Sequence, residues 1–239
     1  MIWRAQNNKN RGIGIKRQAC IGIALLLLVF SMRTSAFAQS SAYISVPNEK
    51  KQIALTFDDG PHPSQTHQIL EILDHYGVKA TFFMIGVNVE NYPDAAKEVI
   101  ARGHEVGNHT YSHSHLQSMG EYSLMREVNR CEDVLESLCE YRPHLFRPPE
   151  GVINPHVEAC AARGDYRLIL WSLDTKDWET KNAEIISARV LNQIQPGDIV
   201  LMHDYVAKSK TPEALEFFLP KLLALGYEPV TVSALLGIG

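Results

Sequence analysis

Between Ile53 and Val232 short apolar runs alternate with amphipathic segments about seven times, and glycine or proline punctuates most of the joins. No other feature constrains the fold as much. A strand that reaches its parallel neighbour through a helix builds a parallel sheet covered by helices. Ile53–Phe57 reads as a buried strand, followed by a helix that Ser64 or Thr66 can cap and that ends near Tyr76, before Gly77. Strands are expected at Val78–Ile85, around His104–Val106, and at Tyr166–Leu173, Ile199–Met202 and Pro229–Val232, with a short apolar run at Leu145–Phe146. Helices are expected from Pro93 to the stop at Gly103, over about Glu121–Leu138, over Pro155–Arg163, over Ala183–Ile194 and finally over Pro212–Leu225.

This pattern fits an open doubly wound sheet as well as a barrel. The polar residues favour the barrel. Asp58 and Asp59 follow one expected strand, His109 another, Arg147 a third, Asp174 and Asp177 a fourth, and His203 a fifth. Barrel enzymes gather their site residues at the C-terminal ends of strands, whereas an open sheet struggles to converge five such ends. The expected fold is therefore α/β, a distorted or incomplete (β/α) barrel with about seven parallel strands.

The first residues read differently. Arg4, Lys9, Arg11, Lys16 and Arg17 precede an apolar run from Ala19 to Phe30, and Ala36-Phe37-Ala38 supplies a small-x-small cleavage pattern. The run falls short of the roughly 20 residues a spanning helix needs. Residues 1–38 are read as a cleaved export signal, with an uncleaved anchor as the alternative, and residues 39–239 as one catalytic domain that is periplasmic or secreted. The whole chain carries 23 Lys+Arg and 27 Asp+Glu, so losing the leader's six basic residues leaves a net charge of −10. Such a surface excludes nucleic acid and, once the signal is cleaved, a stable anionic membrane partner. Cys131, Cys139 and Cys160 remain, an odd number without zinc-ligand spacing, and are read as buried thiols.

His109 and His113 stand four residues apart, a spacing that puts both on one face of a helical turn, where they can share a metal ion. His115 reads as a neighbour of that pair. The adjacent carboxylates of Thr56-Phe-Asp-Asp-Gly60 are costly after a buried strand unless a cation sits beside them. Singly, each polar residue has a plainer explanation: Arg147 a surface ion pair, Asp174 a turn cap, Trp178 core, His203 a satisfied core histidine. Their joint placement favours a site.

The chain resembles the polysaccharide deacetylase family, carbohydrate esterase family 4, which shares the NodB-homology domain. The resemblance runs from about Gln52 to Val232 and rests on Thr56-Phe-Asp-Asp-Gly60, His109-Thr-Tyr-Ser-His113, Arg147-Pro-Pro-Glu-Gly151, Asp174-Thr-Lys-Asp-Trp178 and Leu201-Met-His203, in the family's order. It implies a hydrolase of linear, non-peptide amide C–N bonds that frees acetate from N-acetylglucosamine units of peptidoglycan or chitin-type oligomers. Asp59, His109 and His113 would hold a divalent metal, Zn2+ first, with Co2+, Mn2+ and Ni2+ as related ions. Asp58 would be the base, oriented by Arg147, and His203 the acid, held charged by Asp177. The Glu150 N–H would stabilise the oxyanion, since Pro148 and Pro149 have none. Trp178 and Leu201 would wall the acetyl methyl, with Asp174 beside the substrate. Glu150 stands where the family commonly has an aromatic residue, which leaves the sugar subsites open. An O-acetyl polysaccharide esterase and a silent carbohydrate-binding domain are the rival readings.

Overall fold

The computed structural model describes residues 42–205 and 209–238, with Met1. The leader expected over residues 1–38 lies outside the described residues apart from Met1. The described residues from 42 onward belong to one compact unit. No described helix is long and apolar enough to cross a membrane.

In chain order the elements are β1 Gln52–Asp58, α1 Gln65–His75, β2 Thr81–Met84, α2 Gly86–Asn91, α3 Pro93–Ala101, β3 Glu105–Asn108, α4 Glu121–Cys139, β4 Leu145–Phe146 and α5 Pro155–Arg163. There follow β5 Arg167–Leu168, β6 Leu173–Asp174, α6 Ala183–Gln193, β7 Ile199–His203, α7 Thr211–Ala224, β8 Glu228–Val230 and α8 Val232–Leu236. Single 3₁₀ turns occupy Leu116–Ser118 and Pro149–Gly151. The strands lie in the order β5-β4-β3-β2-β1-β7-β6, all paired in parallel, and β8 pairs with the start of β1. Edge strands β5 and β6 are joined by residues 169–172 alone, a link that spans at most about 18 Å. The sheet therefore curls until its edges nearly meet, which is the expected incomplete barrel.

Period-two alternation sorts each strand into two faces. Ile53, Leu55 and Phe57 of β1 face the helices with Phe82, Met84, Val200 and Met202 in the largest core cluster, and Phe57 stacks on Phe82 at 4.9 Å. Ala54 faces inward among Phe83, Leu145, Ile169 and Ile199. Further along the same inner row come Thr56 and Asp58, so the barrel interior turns from apolar to polar towards the strands' C-terminal ends. Gly107 contributes to this row by having no side chain, because a Cβ there would collide with the Phe83 ring.

Several boundaries differ from the sequence reading. The expected strand 78–85 shortens to β2, and α2 follows at once. The expected strand 166–173 divides into β5 and β6, which pair with opposite ends of the sheet. The last expected strand stops at Val230, and residues 232–236 form α8. Ser64 occupies the cap of α1 without a side-chain cap bond. His62 does that work, its Nδ1 accepting the N–H groups of Ser64 at 3.2 Å and Gln65 at 3.1 Å. The three described cysteines are free; Cys131 and Cys160 are buried as expected, while Cys139 is half-buried.

Residues 42–46 lie along the open seam. Tyr43 N–H donates to Leu168 O at 2.8 Å, Leu170 N–H to Tyr43 O at 2.7 Å, and Val46 N–H to Gly197 O at 2.8 Å. Gly197 has φ +93°, and a Cβ there would strike the Val46 carbonyl. Gly197→Ala should combine left-handed backbone strain with this backbone collision, costing at least about 2 kcal/mol. For a domain of this size that lowers Tm by roughly 4–8 °C. A thermal scan showing a shift under about 2 °C would mean that the seam segment contributes little.

Candidate active site

Strand ends position each polar group. Asp58 is the last residue of β1 and lies on its inner face, buried. Its Oδ1 accepts from Arg147 Nη1 at 2.7 Å. Arg147, directly after β4, is fully buried, which rules out the surface ion-pair explanation. It also donates to Thr56 Oγ1 at 2.8 Å and Leu170 O at 2.9 Å, and its guanidinium lies 4.1 Å from the Phe83 ring centroid. The room left by Gly107 thus seats Phe83, and Phe83 seats the arginine that grips Asp58.

His109 follows β3. Its Nδ1 lies 2.7 Å from the Arg147 carbonyl oxygen, which can only accept, so Nδ1 carries the proton and the Nε2 lone pair points inward. His113 reaches the same point, but not on a helical turn as its spacing suggested. Residues 109–113 form an irregular loop with Thr110 at φ 67° and His113 at φ 52°. The His113 N–H donates to Thr110 Oγ1 at 3.2 Å, and the Thr110 N–H to Asn108 Oδ1 at 2.9 Å. Asp59, also left-handed at φ 75°, is gripped at its carbonyl by Asn88 Nδ2 at 2.8 Å.

The Asp59 Oδ1 atom is 3.5 Å from His109 Nε2 and 3.4 Å from His113 Nε2. It is buried and has no hydrogen-bond partner among the described residues. Three electron-pair donors facing each other beyond hydrogen-bond reach fit a divalent cation between them. Burial raises the Asp59 pKa, but the proximity of His109, with His203 and His113 further out, outweighs it and brings the carboxyl to about 2. A second acid–imidazole group, His67, Glu71 and Glu98, does not fit a metal in the same way. Arg102 already holds Glu71 at 2.6 Å and Glu98 at 2.7 Å.

Across the site His203, the last residue of β7, sets its Nδ1 2.7 Å from Asp177 Oδ1. Asp177 Oδ2 accepts the His203 N–H at 2.8 Å and the Thr211 hydroxyl at 2.5 Å. Burial alone would lower the His203 pKa; the Asp177 bond and charge, helped by Asp58 and Asp59, carry it up to about 9. The structure therefore brings Asp58, Asp59, His109, His113 and Arg147 into one contact network and sets His203 on the strand next to β1, with Asp177 reaching it from the turn after β6.

The remaining sequence candidates sit differently. Glu150 is left-handed at φ 57°, and its Oε1 lies 2.9 Å from Nδ1 of the exposed His115. Trp178 is 59% exposed, so it is not core. Leu201 is buried on the inner face of β7. Asp174 accepts the Lys176 N–H at 2.8 Å, the turn-capping contact that was its plainer explanation. Sequence reading missed Asp204, which is fully buried next to His203 and receives the Thr66 hydroxyl at 2.5 Å. Burial, with the Asp58 and Asp59 charges adding to it, pushes its carboxyl up to about 7 against the Thr66 bond. Nothing local distinguishes it from a surface aspartate after a strand.

The family model described as polysaccharide deacetylase matches residues 45–169. The chain belongs to the polysaccharide deacetylase family. It is 42% identical over 194 residues to a peptidoglycan-N-acetylglucosamine deacetylase of Bacillus cereus, covering 80% of this chain and 91% of that protein. It is 34% identical over 191 residues to a chitooligosaccharide deacetylase of Bradyrhizobium, covering 74% of this chain and 87% of that one. Among solved structures, the Bc1960 peptidoglycan N-acetylglucosamine deacetylase superposes with a TM-score of 0.79 at 34% identity, covering 82% of this chain and 92% of that one. The incomplete barrel is thus the family's fold. Deacetylases of this family depend on a metal ion, and Asp59, His109 and His113 form a group able to hold one.

Proposed function

We propose that the protein is an exported, metal-dependent N-deacetylase that releases acetate from N-acetylglucosamine units of peptidoglycan or chitin-type oligomers. The observation that carries this reading is the buried Asp58–Arg147 pair set against His109, whose Nε2 lies 3.7 Å from Asp58 Oδ2 and faces Asp59. Base and metal donors thus lie within one cluster at the strand ends.

Asp59, His109 and His113 would hold the ion, and a carboxylate with two imidazoles suits Zn2+, with Co2+, Mn2+ and Ni2+ as substitutes. Such an ion supplies Lewis acidity, polarising an amide carbonyl and activating water. Asp58 takes the proton from the attacking water as its oxygen joins the acetyl carbon. Arg147 aims Asp58, donating to its Oδ1 at 2.7 Å and leaving Oδ2 turned towards His109. The Glu150 N–H, presented by a left-handed residue after two prolines that lack this donor, receives the negative charge developing on the acetyl oxygen. His203 gives its proton to the departing nitrogen as the C–N bond breaks, leaving acetate and a free amino sugar. Trp178 and Leu201 wall the methyl group, and Asp174 stands beside the sugar.

Export rests on the basic, apolar and small-residue succession in residues 1–38, which leaves 39–239 as the catalytic domain in the periplasm or outside the cell. The test uses the exported protein, whose N-terminus should read Gln39. Acetate release is measured from N-acetylglucosamine oligomers and from peptidoglycan after chelator treatment, with and without Zn2+. Zinc-restored release is expected. Release from acetylxylan alone would replace this reading with an O-acetyl esterase, and metal binding with no release from any polymer would leave a silent binding domain.

A further inference from the structure

The Asp58-Asp59-Gly60 turn is held from three sides. Arg147 grips the Asp58 carboxylate and Asn88 the Asp59 carbonyl. The third hold lies under Gly60, where a Cβ would collide with the Asp204 carboxyl group, so this side chain packs flush against the glycine backbone. Asp204 is itself pinned. Its N–H donates to the Asp58 carbonyl at 3.1 Å, tying it to the end of β1. Thr66 Oγ1 accepts the His62 N–H at 2.8 Å, which turns the hydroxyl proton towards Asp204 Oδ2 at 2.5 Å. Thr66 lies in the first turn of α1, so the contact clamps that helix, the end of β7 and the turn together.

The turn needs such support because Asp59 occupies φ 75°, a region that costs a non-glycine residue about 1 kcal/mol or more. Released from its wedge, Asp59 can relax to negative φ, and Oδ1 then leaves the point where it faces His109 and His113. We propose that Asp204 is a positioning residue for the metal: wedged beneath Gly60, it holds the left-handed Asp59 turn so that the carboxylate and the two imidazoles converge. This rests on the reading of Asp59, His109 and His113 as the metal group. Asp204 touches neither the metal donors' ligating atoms nor the substrate; it acts through the backbone of Gly60. A buried carboxyl in contact with a glycine that admits no side chain also explains why that position must be glycine, although its φ is not in the left-handed region.

The experiment measures Zn2+ affinity by chelator competition and the Co2+ absorption spectrum for wild type, Asp204→Ala, Asp204→Asn and His113→Ala. Loss of a group that orients a metal ligand typically weakens binding about 10–100-fold. Asp204→Ala should fall in that range with an altered Co2+ spectrum, while Asp204→Asn, which keeps the wedge and can still accept from Thr66, should recover most of the affinity. Val190→Ala, a core truncation in α6, supplies a destabilised control whose metal affinity should not move. If Asp204→Ala proves too unstable to assay, Thr66→Val, which only unpins the wedge, should still weaken Zn2+ binding several-fold. Affinity within threefold of wild type in folded Asp204→Ala or Thr66→Val would overturn the proposal, and so would an equal loss in Asp204→Asn, which would assign the effect to charge. Unchanged affinity in His113→Ala would instead remove the metal reading itself.

Discussion

Asp58→Asn is expected to lower kcat/KM on an N-acetylglucosamine oligomer by about a thousandfold, inside the roughly 10²–10⁴-fold range of a general base. Asparagine keeps the shape of the side chain and can still accept from Arg147, so the loss isolates the proton-accepting carboxylate. The substitution also removes the charge opposite a fully buried guanidinium held at 2.7 Å. Removing one partner of a buried ion pair typically costs about 3–5 kcal/mol. Two features reduce that cost here. Arg147 retains Thr56 Oγ1 and Leu170 O and stays over the Phe83 ring, and the neighbouring Asp59 no longer faces a second negative charge. The net expectation is a loss of about 1–3 kcal/mol, or roughly 2–12 °C in Tm, in a protein that remains folded at 25 °C. Steady-state kinetics beside a thermal scan separate the two effects. A folded variant that keeps more than a tenth of the wild-type rate would place the base elsewhere.

Most of what positions this site was legible because the chemistry falls at strand ends. Asp58, His109, Arg147, Asp174 and His203 each end or directly follow an apolar run, so identifying the strands located the polar cluster. Local signals failed where a residue's role is set by distant partners. The run from Tyr166 to Leu173 is continuously suitable for a strand, yet its two ends pair with β4 and β7 on opposite edges, and only the curl of the whole sheet decides that. Helix α2 escaped notice because its valines continue the β-branched run before it. His109 and His113 meet through two left-handed residues, an arrangement that their spacing does not encode. Asp204 was missed for the strongest form of this reason, since its contact with Thr66 spans 138 residues of chain.

The Asp177–His203 pair makes a prediction whose sign depends on pH. With Asp177 in place His203 titrates at about 9, so it remains a protonated acid across neutral pH and the activity falls as pH rises through that value. A divalent cation beside Asp59 pulls this limit lower, which makes 9 the upper bound. Asp177→Asn removes the largest influence raising the pKa, so burial, opposed only by the Asp58 and Asp59 charges, pulls the His203 pKa down. At pH 8 the protonated fraction therefore falls, and kcat/KM should drop on the order of tenfold, a loss that shrinks as the pH is lowered towards 6. The same pair stabilises the fold, and the sign is fixed by linkage. Because the folded pKa lies above the unfolded 6.5, the contribution is fully present below 6.5 and disappears as pH rises through about 9, amounting to roughly 3 kcal/mol. The Tm gap between wild type and Asp177→Asn should therefore be widest near pH 6 and close above pH 9, even in chelator-treated protein. A rate loss that is flat from pH 6 to 9 would show that Asp177 only orients the ring, because holding the proton and holding the geometry differ in this one respect.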